Sequence, residues 1–377
     1  MALTKVSYSM IQGDPVNVQD FGALGNGTAD DTSAIQLAVN AAAGKTVIFP
    51  PTTAGYKLTA PISVSANTTL IGDNTIITNT ASNIFLLDSV SNISITGFKF
   101  VGDSSYIAVF VQDTTAPCSY LNISDNICNE CRLFNSFSAI HAVSSGSTYL
   151  YNYYNTASHR AKQIKIIGNR GYCSSPPTHG TQDMFILVQF AENVEITNNI
   201  AQGYNDGLQL WGGDWHTTGP WCWDGSHLTG NATISNNVLT VAYSGISTIC
   251  SYGVTIVGNS IYQGSAELLD VEASYTVVVA DNSVNTTNGI VFAMFLPCAE
   301  VIFSNNTALC STGSIALFTN SATLNSSCGR VQFIGNSITS NDASGSTIFS
   351  TGSQNDLHII GNNFQNVIYS QFGPINT

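Results

Sequence analysis

The chain has 377 residues, only 9% of them charged, and a formal net charge of −13. That balance excludes nucleic acid and anionic membrane surfaces as partners, because both need clustered Lys and Arg. Asn, Ser and Thr stand where exposed helices would carry Lys and Glu, which is the composition of stacked strands and polar turns.

The opening MALTKVSYSMIQGDP lacks the apolar core of a signal peptide, and no later run is long enough to span a bilayer. Residues 1–15 read as a polar lead-in. Val16 to Phe21 alternate as a strand would, and the glycine-rich turn GALGNGT follows. DDTSAIQLAVNAAAG then predicts a helix: Asp30, Asp31 or Thr32 can cap its start, Ile35, Val39 and Ala42 share a face, and Gly44 ends it. Capping and the helix dipole explain the Asp30–Asp31 pair without chemistry. Lys45 to Phe49 predicts a strand, closed by Pro50–Pro51.

From about residue 67 the chain repeats itself. The unit is an apolar–x–apolar triplet, two more residues, then Asn: LNISDN (121–126), IKIIGN (164–169), VEITNN (194–199), ATISNN (232–237), VTIVGN (254–259), VVVADN (277–282), VIFSNN (301–306), VQFIGN (331–336) and LHIIGN (357–362). ISITGF (93–98) is a weaker copy. Asn237, Asn259, Asn282 and Asn306 are spaced by 22, 23 and 24 residues, the period of a solenoid. Alternation at period two inside each unit makes its coils of strands, stacked about 4.8 Å apart. The recurring Asn then stacks at one turn, each amide bonding to the next coil and satisfying buried backbone. Longer gaps, 126 to 169, 199 to 237 and 306 to 336, mark inserted loops, which project from a coil and commonly carry function. Residues 1–60 read as lead-in and cap, and 61–377 as the repeat, with insertions at about 127–163 and 211–231.

The nine cysteines form no regular metal spacing; Cys128 and Cys131 make one CxxC with no partner pair at zinc-site distance. An odd count without a signal peptide predicts reduced, mostly buried thiols.

The segment VNVQDFGALGNGTADDTSAIQLAVNAA (16–42) resembles the start of the pectate-lyase-like superfamily, and TLIGDNTII (69–77) its first full coil. TKVSYSMIQGDPVNVQDFGA is most similar to the lead-in of bacteriophage tailspikes. The resemblance implies an all-β fold, a right-handed parallel β-helix with a short N-terminal capping helix. It also implies a homotrimer on the virion that binds and cleaves bacterial capsule or O-antigen polysaccharide at the host surface. The missing signal peptide fits that location. Polygalacturonases share the opening motif, but their active-site signature is not present; Asn205–Asp206–Gly207 only partly echoes its first element.

Aligning coils on the Asn column and stepping eight residues on brings Gly207, Gly245, Glu267 and Ser314 together. DGLQLWG (206–212), SGISTIC (244–250) and AELLDVE (266–272) are then one strand in successive coils, with DMFILVQ (183–189) one coil earlier. Asp270 and Glu272, two apart, share a face with Cα atoms about 6.8 Å apart. Paired carboxylates on a rigid strand push one pKa up, giving an acid and a base. Strict alternation from Leu268 would instead turn Asp270 inward, and a solvated or calcium-binding acidic face is the alternative use of the pair. Asp206, two coils earlier, is the third catalytic candidate, although Asn-Asp-Gly is also a turn sequence.

Trp211, Trp215, Trp221 and Trp223 offer aromatic faces for sugar, or else a satellite core or trimer contact. Gln209, Asp183, Asp214 and Glu267 are further candidates for binding sugar hydroxyls. No Lys or Arg occurs between Arg170 and Arg330, while acids recur from Asp183 to Asp281. A lyase needs a cation or calcium to neutralise a uronate, so hydrolysis by two carboxylates fits better. A lyase using His227 and calcium, and a non-catalytic adhesin, are the other readings. No metal or other cofactor is expected for a hydrolase.

Overall fold

The computed structural model describes residues 15–80, 83–103, 106–137, 144–145, 148–149, 160–175, 184–212, 229–295, 298–311, 316–319, 328–341, 346–347, 349–351 and 354–368. The chain is a right-handed parallel β-helix. Each regular coil contributes one strand to each of three ribbons. Strands such as Ala191–Thr197, Thr229–Ser235, Ser251–Val257 and Tyr275–Ala280 form the first ribbon. Ile200–Tyr204, Val238–Val241, Ser260–Gln263 and Ser283–Thr286 belong to the second. The third is an 11-stranded parallel sheet running from Ile62–Ser63 to Phe349–Thr351. Inward side chains of all three ribbons fill one continuous core, which also takes in Ile35, Val39 and Ala42 of the helix α1 (Thr32–Ala42).

The turn between the first two ribbons explains the repeat. Asn126, Asn169, Asn199, Asn237, Asn259, Asn282, Asn306 and Asn336 are all at most 1% exposed. Each donates both its backbone N–H and its Nδ2 to Oδ1 of the next asparagine; for Asn259 onto Asn282 both distances are 2.9 Å. The same Nδ2 also reaches a first-ribbon carbonyl of the preceding coil, as Asn259 does to Ile234 at 2.9 Å. The chain of amides ends on Asn362. The residue before each asparagine has positive φ, from 53° at Asn305 to 71° at Gly168. That left-handed turn admits Gly, Asn and Asp with least strain, which is why the repeat reads GN, NN or DN.

The N-terminal segment departs from the expected strand. Val16–Asn17 is a two-residue strand, and Val18–Phe21 continues as a 3-10 turn because the Asn17 side chain accepts the Gln19 N–H and Gly22 closes the turn at φ 97°. Strand pairing begins here, with Val16 on Val47 and Asn17 on Ile48. The Asp31 side chain does not cap α1; its carboxylate takes the Leu24 and Gly25 N–H groups at 2.6 and 3.1 Å. Asp30 accepts the Thr32 N–H at 3.0 Å and the Thr59 hydroxyl at 2.6 Å, so the pair fixes the cap on the first coil. Hydrogen bonds from Thr32 and Thr59 hold its carboxyl below the usual aspartate range.

Cys118, Cys128, Cys131, Cys173, Cys298 and Cys310 are free and buried, as expected. Cys250 departs from that expectation: it is disulfide-bonded. It is fully buried in a left-handed turn at φ 48°. Among the described residues no group of three or more His, Cys, Asp or Glu could hold a metal, and no helix is long and apolar enough to cross a membrane.

Replacing Asn259 by Ala strips the Oδ1 that serves both donors of Asn237, leaving two buried N–H groups unmet at about 1–3 kcal/mol each. Asn259→Ala should therefore lower unfolding free energy by roughly 2–5 kcal/mol, and Asn362→Ala, at the half-exposed end, by clearly less. Denaturant titration of both variants tests this.

Candidate active site

The third ribbon carries the candidate site on its outer face, midway along the solenoid. Strand Glu267–Glu272 is held by Leu269 and Val271, both fully buried in the core. The turn before it is one residue longer than in the preceding coil: Leu239 pairs with Ile261, a step of 22 residues, but Ile246 pairs with Leu269, a step of 23. Alignment on the asparagines places Gly245 on Glu267; in the structure the Gly245 N–H bonds Glu267 O, and Gly245 stands opposite Leu268. A one-residue shift turns every side chain to the other face. The alternation that would bury Asp270 from Leu268 fails, because Leu268 tucks sideways against the turn glycines Gly264 and Gly289.

Asp270 accordingly lies in one outward file with Gln209 and Ser247, and Glu272 in a second with Trp211 and Ile249. The first file is sheltered: Ser247 is 7% exposed and Asp270 4%. Asp270 lies within hydrogen-bonding reach of Glu272 and of the Ser247 hydroxyl, yet its Oδ1 has no hydrogen-bond partner. Burial above all, then the charges of Glu272 and Glu267 and the hydrogen bond with Glu272, push the Asp270 carboxyl well above the aspartate range; Ser247 opposes this weakly. The two carboxyls touch, closer than the roughly 5 Å of a retaining pair or 6.5–9.5 Å of an inverting one. Glu272 is partly exposed at the strand end, whereas Asp270 is buried.

Asp206 is in the same strip, two strands earlier, and falls in file with Ser244 and Glu267. Its Oδ1 accepts the Ser244 N–H at 3.0 Å, so it ties successive coils as well as facing the site's edge. Met184, not Asp183, pairs with Asp206. The two strands are out by one from the alignment, as at Asp270. Trp211 points outward, as expected from fully or nearly fully buried Leu208 and Leu210, with the Phe190 ring edge-on at 5.2 Å. Gln209 is half-buried beside it, as is Glu267. Asp183, Asp214, Trp215, Trp221 and Trp223 lie outside the described residues.

Two features were missed in the sequence. Ser247, the neighbour that contacts Asp270, is visible only once the 23-residue step is known. The second is a cluster beside the end of the glutamate file. Arg160 donates Nη1 to Glu192 at 2.7 Å and to the Tyr252 hydroxyl at 3.2 Å, and Tyr252 donates to Glu192 at 2.9 Å. Tyr252 stacks on Tyr275 and reaches Glu192 across Gly230, where any Cβ would strike its ring. The Glu192 hydrogen bond and burial push the Tyr252 hydroxyl up to about 12. Arg160 lies outside the 171–329 stretch in sequence, so only folding brings a cation to that side.

A parallel β-helix that carries a sheltered carboxylate pair on one ribbon is the arrangement found here. The chain belongs to the family described as rhamnogalacturonase A/epimerase, pectate lyase-like, which matches residues 15–270. No curated protein matches the chain in sequence. Solved structures show the same fold at low identity. The A-module of the mannuronan C-5 epimerase AlgE6 of Azotobacter vinelandii superposes with TM-score 0.59 at 14% identity, covering 92% of this chain and 98% of that one. PfbA, a surface adhesin of Streptococcus pneumoniae, gives 0.59 at 13%, covering 94% and 90%. The tailspike protein of Acinetobacter baumannii phage AM24 gives 0.50 at 14%, covering 93% of this chain and 54% of that longer one.

A raised folded-state pKa means that Asp270 destabilises the fold when it ionises. The fold is unpenalised below the ordinary aspartate range and loses stability as pH rises through the raised value. Asp270→Asn should therefore raise Tm at pH 8 by about 2–4 °C, with the gain vanishing near pH 4. A thermal melt at both pH values tests it.

Proposed function

We propose that the protein is a tailspike-like depolymerase that hydrolyses glycosidic bonds inside a bacterial surface polysaccharide. The observation that carries this reading is Asp270, buried and with its carboxyl pushed above the aspartate range by that burial and by the neighbouring acids, beside the partly exposed carboxyl of Glu272. A carboxyl kept neutral near pH 7 is a general acid, and its ionised partner can activate water or attack the sugar. In this reading Asp270 protonates the leaving oxygen. Glu272 swings off as substrate enters, acting as the second carboxylate, with Asp206 assisting from two coils away. Trp211 offers its face to a sugar ring, with Gln209 and Glu267 as hydroxyl partners; Asp183, Asp214, Trp215, Trp221 and Trp223 keep the binding roles their sequence suggests. The role needs no cofactor; calcium would be required if the reaction were an elimination.

The phage tailspike relative supports placement on a virion and a homotrimeric assembly acting at the host surface. The adhesin relative supports a second reading, glycan binding without cleavage. Incubation with a panel of capsular and O-antigen polysaccharides separates them. New reducing ends with no rise in unsaturated-uronate absorbance are expected, falling by about 10²–10⁴ in Asp270→Asn and Glu272→Gln. Activity should decline as pH rises through the raised Asp270 pKa, since the acid must be protonated. An absorbance rise would establish a lyase instead, and retention without shortening an adhesin. Trp211→Ala should weaken polymer affinity about tenfold.

A further inference from the structure

Taken together, the charges around the site bear on which polymer it takes. Glu272 and Glu267 both lie close enough to raise the proton affinity of Asp270, and Asp206 lies in file with Glu267. Every cation whose placement is described stands elsewhere or is engaged. Lys57, Lys99, Lys162, Lys165, Arg170 and Arg330 lie on strands of the first two ribbons. Lys165 pairs with Glu195 at 3.2 Å and Arg330 with Glu300 at 3.5 Å. Lys45 precedes the first-coil strand Thr46–Ile48. Arg132 begins a third-ribbon strand four steps before Glu267–Glu272, about 19 Å along the axis. Arg160 is spent on Glu192 and Tyr252. Segments 176–183 and 213–228 contain no Lys or Arg in sequence.

The second observation is independent of charge. Asp270 is 4% exposed, and its Oδ1 is a buried acceptor with no donor. Asp270 stands in the outer file with Ser247 and beside Glu272, so it belongs to the strip proposed to face the sugar, and a donor from a ligand that displaces Glu272 would complete its Oδ1. Hydroxyl and ammonium groups donate; a uronate carboxylate would bring a further negative charge to these acids, with no Lys or Arg beside them among the described residues except Arg160, which Glu192 holds.

We infer that the sugar unit seated over Asp270 and Glu272 is neutral or amino-bearing and not a uronate, an inference that rests on the site proposed above. The polymer is therefore selected by the absence of acid groups at the reacting unit.

Pairs of uronate-rich polysaccharides and their carboxyl-reduced forms, together with a deacetylated polyhexosamine, supply the test, because reduction changes charge and keeps linkage. Retention of the full chain on each immobilised polymer is measured at pH 8, at about 20 mM and 500 mM salt. At low salt, native polyuronates should bind at least tenfold more weakly than their reduced forms, and the gap should narrow at high salt. The Glu267→Gln/Glu272→Gln variant, checked for an unchanged Tm, should gain at least tenfold on native polyuronates; Glu267→Gln alone serves as an independent variant with the same expected direction. Equal or tighter binding of native polyuronates by the wild type overturns the inference while leaving a polysaccharide site in place. A wild-type preference that neither variant shifts also overturns it, since these carboxylates would not be its source. Retention of none of the polymers removes the proposed function and the inference together.

Discussion

A ladder of asparagine amides sets the register of this solenoid, and the place of each candidate functional side chain follows from that register. Each amide serves several buried partners at one turn: its Oδ1 accepts the backbone and side-chain N–H groups of the asparagine one coil back, and its Nδ2 donates to the next asparagine and to a carbonyl of the coil before. No exchange with water can replace these bonds, because the column is sealed. With the first two ribbons fixed in this way, the turns leading to the third are free to vary in length. The chain places its variation there and in the insertions.

One such variation makes the candidate site. A single extra residue between Ile261 and Leu269 moves the following strand by one and turns Asp270 from the core file of Thr248 to the outer file of Ser247. The repeat absorbs the added residue in a turn where Gly264 and Gly289 leave space for Leu268. A buried carboxyl that the fold would otherwise reject is thus held in contact with a second one. Such an arrangement costs stability.

The neighbouring cluster of Arg160, Glu192, Tyr252 and Tyr275 shows the same economy of small residues. Gly230 leaves a gap in the ribbon, and the Tyr252 ring lies through it to reach an acid two coils away. An insertion between two coils is pinned there to the body of the solenoid by its last arginine. The candidate site is therefore flanked on one side by an ion pair between Arg160 and Glu192.

Fold class was written in the sequence because it depends on local, repeated rules: alternation at period two, a left-handed residue before each Asn, and a spacing near 23. The capping helix was equally plain, since Ile35, Val39 and Ala42 are 3.6-periodic. The candidate carboxylates could be named, as they stand out in an apolar strand. Their facing could not, because it depends on a one-residue difference in a turn that no local pattern marks, and a slip of one reverses a strand. The contact of Asp270 with Ser247, the displacement of Asp183 by Met184 opposite Asp206, and the approach of Arg160 to Glu192 and Tyr252 join residues 22 to 92 positions apart. Sequence determined that the coils stack; only the tertiary structure decided which side chains the stacking brings face to face, because that is a property of registers between coils and not of any one coil.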